Sequence, residues 1–514
     1  MPSIKSQKRF LLFSTLIVGM CSIIYELLIS TVSSYFLGDS VRQFSIIIGF
    51  YLAAMGFGSW LSRFFTRNLM FSFIWIELTL GIIGAFSVPL CYLYFSFADY
   101  TGFNIFVLGL VFIIGTLTGL EVPILTRLLQ RDQLESQELS DVLTLDYLGA
   151  LVATLIFPFI LIPFMGVYKS SLLFGFLNVS IGLSNFVFFR SMVPGGKHRD
   201  VILWIVSLAF IALIAFASFR ANEFIEHWNS TVFKHPVVYN EATSYQNVVL
   251  TDNGEEFRLY LNSAIQFSSR DEYRYHEALV HVGAMQITQV RQVAILGGGE
   301  GLALREVLKY PELESVVVVE LDPEIVRISK EFVNIRTLNE DAFSDDRVKV
   351  VNEDAFVWLM ENKTKFDLII ADLPDPTTES LSRLYSISFY HLVQNALNSN
   401  GLFVTQATSP ELSPNAFKSI EITLEEAGFK YVYPYSINVP SFGNWGFLLA
   451  SMEPLAFNMR GELDLKFIED ESFQHIFYFP PDLLTGDVEP NRLDQPVLIE
   501  YYLNHWRDLN TEKK

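Results

Sequence analysis

The sequence predicts three parts in order: an all-α, multi-pass membrane domain, a small β-strand domain and a doubly wound α/β domain. Two observations support this prediction. The first 220 residues are apolar and nearly uncharged, and the acidic remainder alternates strand-like with helix-like stretches. At 514 residues the chain also exceeds the length that one hydrophobic core serves. We place the domains at residues 1–220, 221–288 and 289–455, followed by a carboxy-terminal extension over 456–514.

The charge of the chain is divided unevenly. Residues 1–220 contain 13 Lys and Arg against 11 Asp and Glu, a net charge of +2, whereas residues 221–514 carry −22, which gives −20 for the whole chain. Nucleic acid is excluded as a partner, because phosphate contacts need clustered Lys and Arg. The acidic field favours cationic ligands, but it also keeps a protein soluble, so charge alone leaves both interpretations open.

The two cysteines, Cys21 and Cys91, both lie in apolar stretches. This count and placement exclude a disulfide framework and a cysteine-based zinc site. A reducing compartment for the soluble part fits this usage.

Seven apolar stretches in the first 220 residues are close to the length of about 20 residues that crosses a bilayer. The first follows Lys5, Lys8 and Arg9 without a small-residue cleavage site, so we interpret it as a retained anchor. The seven candidates are approximately residues 11–31, 43–62, 72–97, 103–125, 148–166, 170–189 and 201–219.

Basic residues, which mark cytoplasmic loops, alternate with poorly basic loops along this region. They lie in the amino-terminal tail and in loops with Arg63 and Arg67, Arg127 and Arg131, and Arg190, Lys197 and Arg199. We expect a cell-membrane protein whose catalytic domain is cytoplasmic. Seven spans from a cytoplasmic amino terminus would instead place it outside, so the span number stays open. The Pro-containing stretch 148–166 is the candidate for a re-entrant segment.

Three of the predicted spans each carry one carboxylate, Glu26, Glu77 and Glu121. Acids within a membrane are costly and point to function. They could line a path for a cation, or they could pair with buried hydroxyls in a helix bundle. Whether the membrane domain only anchors the chain or also transports a product stays open.

Strand and turn signals appear after residue 220. Two runs of strand formers flank Asp252-Asn253-Gly254 within 247–267 and predict a β-hairpin. From residue 290 onward strands alternate with helices, which predicts a parallel, doubly wound sheet. Its strands are VAIL (293–296), VVVVE (316–320), VKVV (348–351), LIIAD (368–372) and LFVTQ (402–406).

A glycine-rich loop, Gly297-Gly298-Gly299-Glu300-Gly301, follows the first of these strands and precedes a helix. Such glycines let the backbone approach a ligand at the carboxyl end of the strand, although the same pattern can be only a tight turn. Glu320 ends the next strand, about 20 residues further on, where an acid accepts hydrogen bonds from ribose hydroxyls. Together the two features predict a nucleoside site, with an N-cap role for Asp322 as the structural alternative at this turn.

Three further acids follow strand ends. Asp354 could accept from the adenine amino group or could cap a helix. Asp372 and Asp375 lie in a loop stiffened by Pro374 and Pro376 at the sheet's carboxyl edge. An amine with a pKa near 10 is mostly protonated at neutral pH. A carboxylate placed here could hold the ammonium group and then take its proton as a general base, unless both acids are merely solvated turn residues.

An ordered series of motifs resembles the spermidine synthase family over about residues 245–450, and the apolar first part is similar to its membrane-integral bacterial branch. The resemblance implies a small β domain followed by a Rossmann-like domain of the class I methyltransferase type, and a homodimer or homotetramer. It implies transfer of the aminopropyl group of decarboxylated S-adenosylmethionine to putrescine, giving spermidine and methylthioadenosine, with no cofactor. The motifs are Tyr245-Gln246, LYLNSAIQFSSRDEYRYHEALVH (259–281), GGGEGLALREVLKYP (297–311), VVELDPE (318–324), NEDAF (352–356), ADLPDP (371–376) and VPSFGNWGF (439–447).

The resemblance also implies roles for individual residues. Asp375 would be the catalytic base, with Asp372 beside it to steer the amine. The polyamine site would include Tyr275, His276, Glu300 and Asp372. The donor nucleoside and methylthioadenosine would be held by Gln246, Glu320, Asp354 and Ala355, with the loop glycines Gly297, Gly299 and Gly301.

Two positions depart from the family pattern. Glu300 stands where many spermidine synthases have Asp, which keeps the charge, lengthens the arm by one methylene and puts the length of the acceptor in doubt. Phe442 replaces a Tyr of many soluble members, so one amine-binding hydroxyl is missing. The alternatives are therefore transfer to a different or longer polyamine, or a methyltransferase-fold protein coupled to polyamine transport. With no pair of His at metal spacing near His276, we predict no metal.

Overall fold

The computed structural model of the chain describes residues 4–37, 40–98, 100–129, 137–190, 193, 197–233, 235–243, 245–457, 463–480, 483 and 486–503. Arg131 and the last residues of the predicted extension lie outside the described residues. The chain divides into two compact units, Met1–Lys234 and His235–Lys514. The division falls later than the expected residue 220, because 221–232 form a helix of the first unit rather than part of a β domain.

The regular elements of the first unit are all helices among the described residues. Leu, Ile, Phe and Val predominate in its helices, which contain few polar or charged side chains. Its helices are α1 (Ile4–Leu37), α2 (Ser40–Leu61), α3 (Leu69–Phe95), α4 (Tyr100–Leu129), α5 (Gln137–Ile156), α6 (Ile162–Phe188), α7 (Lys197–Phe219) and α8 (Ala221–Val232).

Six helical stretches of the described residues are long and apolar enough to cross a membrane. Two of the seven predicted segments, 148–166 and 170–189, coincide with one of these stretches, Leu139–Phe188. This stretch has a π-helical turn at Phe157–Leu161, next to prolines that remove backbone donors. It is also interrupted at Gly166, where φ is 68° and ψ is 175°. At about 1.5 Å per residue its 50 residues exceed two bilayer cores, so the break divides it into two lengths that could each span.

The second unit begins with a small antiparallel sheet in the order β1-β2-β3-β4. The predicted hairpin is present, with Asp252 of β2 opposite Phe257 of β3. Apolar side chains of this sheet pack against Ile325 and Ile328, so it lies on the α/β domain. Its strands are β1 (Val237–Ala242), β2 (Asn247–Asp252), β3 (Phe257–Leu261) and β4 (Ala264–Ser268).

The larger sheet has seven strands in the order β10-β11-β9-β8-β5-β6-β7. Strands β5 to β9 are parallel, as predicted, and β10 and β11 are antiparallel additions at one edge. The chain proceeds from β5 to β6 on one side and returns to β8 on the other, which creates a switch point where open α/β sheets bind ligands. The strands are β5 (Gln292–Gly297), β6 (Ser315–Val319), β7 (Val348–Val351), β8 (Phe366–Asp372), β9 (Leu397–Gln406), β10 (Tyr431–Val439) and β11 (Gly443–Ser451).

Helices cover both faces of the larger sheet, and each face has its own buried apolar cluster. This Rossmann-like arrangement explains the continuous apolar runs of the central strands, since parallel strands are buried on both sides. The helices are α9 (Glu272–Ala284), α10 (Leu302–Val307), α11 (Pro323–Glu331), α12 (Val333–Leu338), α13 (Ala355–Glu361), α14 (Glu379–Ser382), α15 (Ile387–Ala396), α16 (Pro414–Glu426) and α17 (Asp470–His475).

The carboxy-terminal extension packs on the α/β domain. The carboxylate of Glu277 on α9 accepts hydrogen bonds of 2.8–3.0 Å from the backbone N–H groups of Lys466, Phe467 and Ile468. Asn491 donates to the carbonyl oxygens of Ser382 and Tyr385. The described part of the extension is therefore a structural component of the domain.

Candidate active site

The glycine-rich loop lies at the switch point between β5 and β8. Gly297 has a φ of 83°, and a Cβ at this position would lie 2.0 Å from the carbonyl oxygen of Asp372. A Cβ on Gly299 would lie 2.6 Å from Cγ of Glu320. Only glycine fits at these two places, because the loop is pressed against both neighbouring strand ends. Gly301, after Glu300, is the N-cap residue of α10.

Glu320, at the end of β6, points back toward this loop. Its two carboxylate oxygens accept from the backbone N–H of Gly299 at 3.2 Å and of Asp322 at 2.9 Å. Burial and the nearby charge of Glu300 raise the pKa of Glu320 to about 7, against the two backbone hydrogen bonds that lower it. Gln246 donates to Asp322 at 3.1 Å, so Gln246 stands beside the same turn. Asp322 also caps α11, as the structural alternative predicted.

Asp354 is the N-cap of α13. Its Oδ1 accepts from the backbone N–H groups of Phe356 and Val357 at 3.0 and 3.2 Å. Its Oδ2 pairs with the guanidinium of Arg383. Asp354 therefore caps the helix, as the structural alternative predicted. Its side chain is partly exposed, and Oδ2 points toward Arg383. Ala355 is the first residue of α13 and is buried.

Asp372, Glu300 and His276 come together beside the loop. One ligand-type atom of each of these three residues lies within 4.8 Å of the other two. The hydroxyl of Tyr275 donates to Oδ1 of Asp372 at 2.7 Å, and Nε2 of His276 lies 3.5 Å from Oε1 of Glu300. Oε1 of Glu300 is buried and has no hydrogen-bond partner among the described residues. This oxygen is therefore available to a donor on a ligand.

A buried ion pair supports His276 from behind. Nδ1 of His276 donates to Oε2 of Glu272 at 2.9 Å, and Arg305 holds both oxygens of Glu272 at 2.9 and 3.1 Å. Burial alone would lower the pKa of His276, but the hydrogen bond to Glu272 and the nearby carboxylate of Glu300 outweigh it and raise the pKa to about 10. His276 is thus a cation at neutral pH, with no ring lone pair to offer a metal. The expectation of no metal at this cluster stays a prediction.

Asp375 lies three residues beyond Asp372 in the proline-stiffened loop. Tyr502 donates to its Oδ2 at 2.9 Å, and the amide of Gln406 lies 3.5 Å from its Oδ1. Gln406 and Tyr385 also hold the carbonyl oxygen of Leu373, at 2.7 and 3.1 Å. These contacts fix the loop so that its two carboxylates keep their positions.

Burial raises the pKa values of both loop acids. The pKa of Asp375 rises to about 6, against the hydrogen bonds of Tyr502 and Gln406 that lower it. The pKa of Asp372 also lies above its ordinary value, because of burial and the charge of Glu300. A carboxylate with a pKa near 6 is ionised at neutral pH, yet it is more basic than an exposed one. Such a group suits the removal of a proton from an ammonium ion.

Aromatic rings close one side of the carboxylate cluster. The ring of Phe442 lies 6.0 Å from that of Tyr275, and Phe447 lies 5.2 Å from it. Phe442 offers no hydroxyl, so this wall is apolar. An apolar wall beside carboxylates suits the methylene chain of an amine that carries charges at its ends.

Sequence reasoning missed Glu272, Arg305, Gln406 and Tyr502. Glu272 stands four residues before His276 on one helix, and this spacing could have suggested the pair. Tyr502 is 127 residues from Asp375 in a segment with weak patterning, and no local signal indicates their contact.

The chain has clear similarities to known proteins. The family model of the spermine/spermidine synthase domain matches residues 272–460. A solved spermidine synthase in complex with the transition state analogue AdoDATO is 24% identical, with a TM-score of 0.44, over 48% of this chain and 85% of that one. A polyamine aminopropyltransferase of Leptospira interrogans is 39% identical over 96% of this chain and 98% of its own. Polyamine aminopropyltransferase 2 of Ralstonia nicotianae has the same identity and coverage. These two similarities extend over nearly the whole of both chains.

Proposed function

Since this chain belongs to the spermine/spermidine synthase family of polyamine aminopropyltransferases, we propose that its carboxylate cluster binds the acceptor amine and that Asp375 deprotonates it. The chain is a transferase of polyamine biosynthesis. It transfers the aminopropyl group of decarboxylated S-adenosylmethionine to an amine, and this donor is a co-substrate rather than a cofactor. The proximity of Glu300, Asp372 and His276 at the switch point is the observation that supports the proposed site most strongly.

The donor nucleoside would occupy the crevice beside the glycine-rich loop. Glu320 would accept hydrogen bonds from the ribose hydroxyls, exchanging one backbone partner for a ligand hydroxyl. Gln246 and Ala355 would contact the nucleoside from the two sides of this crevice. Asp354 would accept from the adenine amino group through the oxygen that now faces Arg383, while its other oxygen keeps its capping role.

The acceptor would enter as an ammonium ion and leave as a substituted amine. Asp372 and Glu300 would hold ammonium groups, and Tyr275 would fix the orientation of Asp372. Asp375 would take a proton from the attacking nitrogen, whose lone pair then forms the new N–C bond. The C–S bond of the sulfonium breaks as its electron pair returns to sulfur, and neutral methylthioadenosine leaves. The sulfonium needs no acid to depart, so the enzyme supplies proximity, orientation and one base.

The charge of the site favours the decarboxylated donor. Glu300 and Asp372 would attract the terminal ammonium of the aminopropyl group and would repel the carboxylate of intact S-adenosylmethionine. This distinguishes the proposed reaction from methyl transfer on the same fold. Calorimetry would show much tighter binding of the decarboxylated donor, whereas equal affinities would favour a methyltransferase.

Putrescine is the proposed acceptor and spermidine the proposed product. Glu300, with its longer arm, and Phe442 make acceptor length the point to test. The purified chain should be given decarboxylated S-adenosylmethionine and a panel of diamines and triamines, with products identified by mass. Spermidine and methylthioadenosine in equal amounts would support the proposal, and a higher kcat/KM for another amine would reassign the acceptor.

We further propose that the first unit is embedded in the cell membrane with lipid as its partner. Many large apolar side chains of its helices face outward, among them Leu52, Phe159, Phe164 and Phe216, each more than half exposed. Water would make such an apolar surface costly, while lipid would not. The catalytic unit would lie in the cytoplasm, where its substrates are made. We also propose that the protein is a homodimer or homotetramer. Carbonate extraction and protease accessibility in spheroplasts test this placement.

A further inference from the structure

Two acids of the first unit are buried together inside the helix bundle. Glu77 on α3 is fully buried and Glu121 on α4 is 2% exposed. Their carboxyl groups lie close enough to interact directly. Neither oxygen of Glu77, nor Oε1 of Glu121, has a hydrogen-bond partner among the described residues. Buried oxygens without donors are costly, so the pair calls for a proton on one acid or for a donor from outside the chain.

Further polar atoms without partners in the described structure surround this pair. Tyr25 on α1 is fully buried near both acids, and its hydroxyl has no partner there. Asn178 on α6 donates to the carbonyl oxygen of Glu77 at 3.2 Å, but its own Oδ1 is unsatisfied within the described residues. α6 comes close at this level, because a Cβ on Gly182 would lie 3.0 Å from Cβ of Glu77. Four helices thus direct oxygen atoms into one place.

The charge of this interior is uncompensated. No Lys, Arg or His is among the buried side chains of the described part of the first unit, whereas Glu26, Glu77 and Glu121 are. Asp146 on α5 is a further acid near Glu121, packed against Gly19 of α1. A buried carboxylate without a counter-charge needs a bound cation or a proton, and acids in this position within membrane bundles mark cation sites.

The geometry favours an ammonium group over a metal ion. Among the described residues, the one group of three or more acidic, His or Cys side chains at metal-ligating distance lies in the second unit. Glu77 and Glu121 therefore lack a third protein carboxylate for a metal. An ammonium group has three N–H donors, which match a pair of carboxylates and one further oxygen.

We propose that Glu77, Glu121 and Tyr25 form a binding site for an alkylammonium group within the first unit, with a linear polyamine as its ligand. The site itself follows from the unpartnered oxygens. The choice of a polyamine among alkylammonium ions rests on the proposed function, since the second unit makes such a cation. Glu26 and Asp146 would accept its further ammonium groups.

Equilibrium dialysis of the purified full chain in nanodiscs against radiolabelled spermidine tests the proposal. The catalytic acceptor site is first disabled with Asp372→Asn and Asp375→Asn. In this background we expect one equivalent of bound spermidine per chain. Adding Glu77→Gln and Glu121→Gln should raise the Kd for spermidine at least tenfold. Glu223→Gln, which changes an exposed acid on α8, should leave the equivalent in place.

The site would be overturned by no spermidine binding in the disabled background, by binding that the Gln pair does not change, or by competition from sodium at equal concentration. Proton uptake without spermidine binding would show that the pair binds only a proton, and it would also overturn the proposed site.

Gln replaces Glu with nearly the same shape and removes a buried charge, so thermal unfolding should show a stability at least equal to that of the parent. A chain that carries only the Gln pair should transfer the aminopropyl group at the native rate. A native chain without aminopropyl transfer would instead contradict the proposed function.

Discussion

The hydroxyl of Tyr502 donates a hydrogen bond of 2.9 Å to Oδ2 of Asp375. This contact connects the carboxy-terminal segment to the loop that carries the proposed base. The hydrogen bond lowers the pKa of Asp375 against the rise that burial causes. The carboxy-terminal segment therefore takes part in setting the basicity of the site.

We predict that Tyr502→Phe moves the acid limb of the pH profile of kcat/KM to higher pH. The ionised form of Asp375 is the active one, so activity is lost as pH falls through its pKa of about 6. Loss of a hydrogen bond to the ionised form raises that pKa, by about one unit for a bond of this kind. Tyr501→Phe is the matched control, because the Tyr501 hydroxyl contacts Glu489 instead. Superimposable profiles for Tyr502→Phe and the native chain would refute the role of this contact.

Replacement of Glu300 should weaken the binding of the acceptor amine and of the donor's aminopropyl ammonium, but not of the donor's nucleoside. Glu300→Gln keeps the shape but removes the charge of a buried oxygen that lies 3.5 Å from Nε2 of His276 and accepts no hydrogen bond within the described residues. A hydrogen bond to a charged group contributes about 2 kcal/mol, so KM for the amine should rise roughly 30-fold. Glu314→Gln, at an exposed position, serves as control. Steady-state kinetics with varied amine would contradict the assignment if both variants gave the native KM.

Glu320→Gln should weaken donor binding with little change in kcat. The amide retains one acceptor oxygen but loses the charge that strengthens hydrogen bonds from ribose hydroxyls. We expect the Kd for methylthioadenosine to rise about tenfold in calorimetry, as for the loss of about 1.4 kcal/mol. Glu331→Gln, on the exposed face of α11, should give the native Kd. An unchanged Kd in the Glu320 variant would place the ribose elsewhere.

Arg305 should contribute to stability through its two hydrogen bonds to Glu272. Arg305→Lys keeps the charge, but Lys cannot reproduce this forked hydrogen-bond geometry at a buried position. We expect a loss of about 2 kcal/mol and a clearly lower Tm, since one Lys ammonium cannot donate to both buried oxygens of Glu272 as the guanidinium does. Arg327→Lys, in exposed ion pairs on α11, should cost less than about 0.5 kcal/mol. Equal Tm values for the two variants would contradict a structural role for the Glu272 pair.

The fold was readable from the sequence where local pattern decides structure. Strands β5, β6, β8 and β9 are largely buried between helices, so they contain apolar runs, and these four and the edge strand β7 were all predicted. The antiparallel strands β10 and β11 were missed. β10 contains Pro434 and alternates weakly, and only its pairing with β11 along the sheet edge makes it a strand.

The site was readable where its residues follow strand ends. Glu320, Asp372 and Asp375 could be placed at one sheet edge because parallel strands bring their carboxyl ends together. The residues that hydrogen-bond to the site and shift its pKa values could not be predicted. Arg305 lies 33 residues from Glu272 and Tyr502 lies 127 from Asp375, so these contacts depend on tertiary packing that no local pattern encodes.

The rate of Asp375→Asn tests the central proposal most directly. Asn has nearly the same shape but cannot accept a proton, and loss of a general base costs about 10²- to 10⁴-fold in rate. We predict that kcat for aminopropyl transfer falls by at least 100-fold, while the Kd for decarboxylated S-adenosylmethionine, measured by calorimetry on the same preparation, stays within twofold of the native value. A kcat close to that of the native chain would contradict the assignment of Asp375 as the base and, with it, the proposed mechanism.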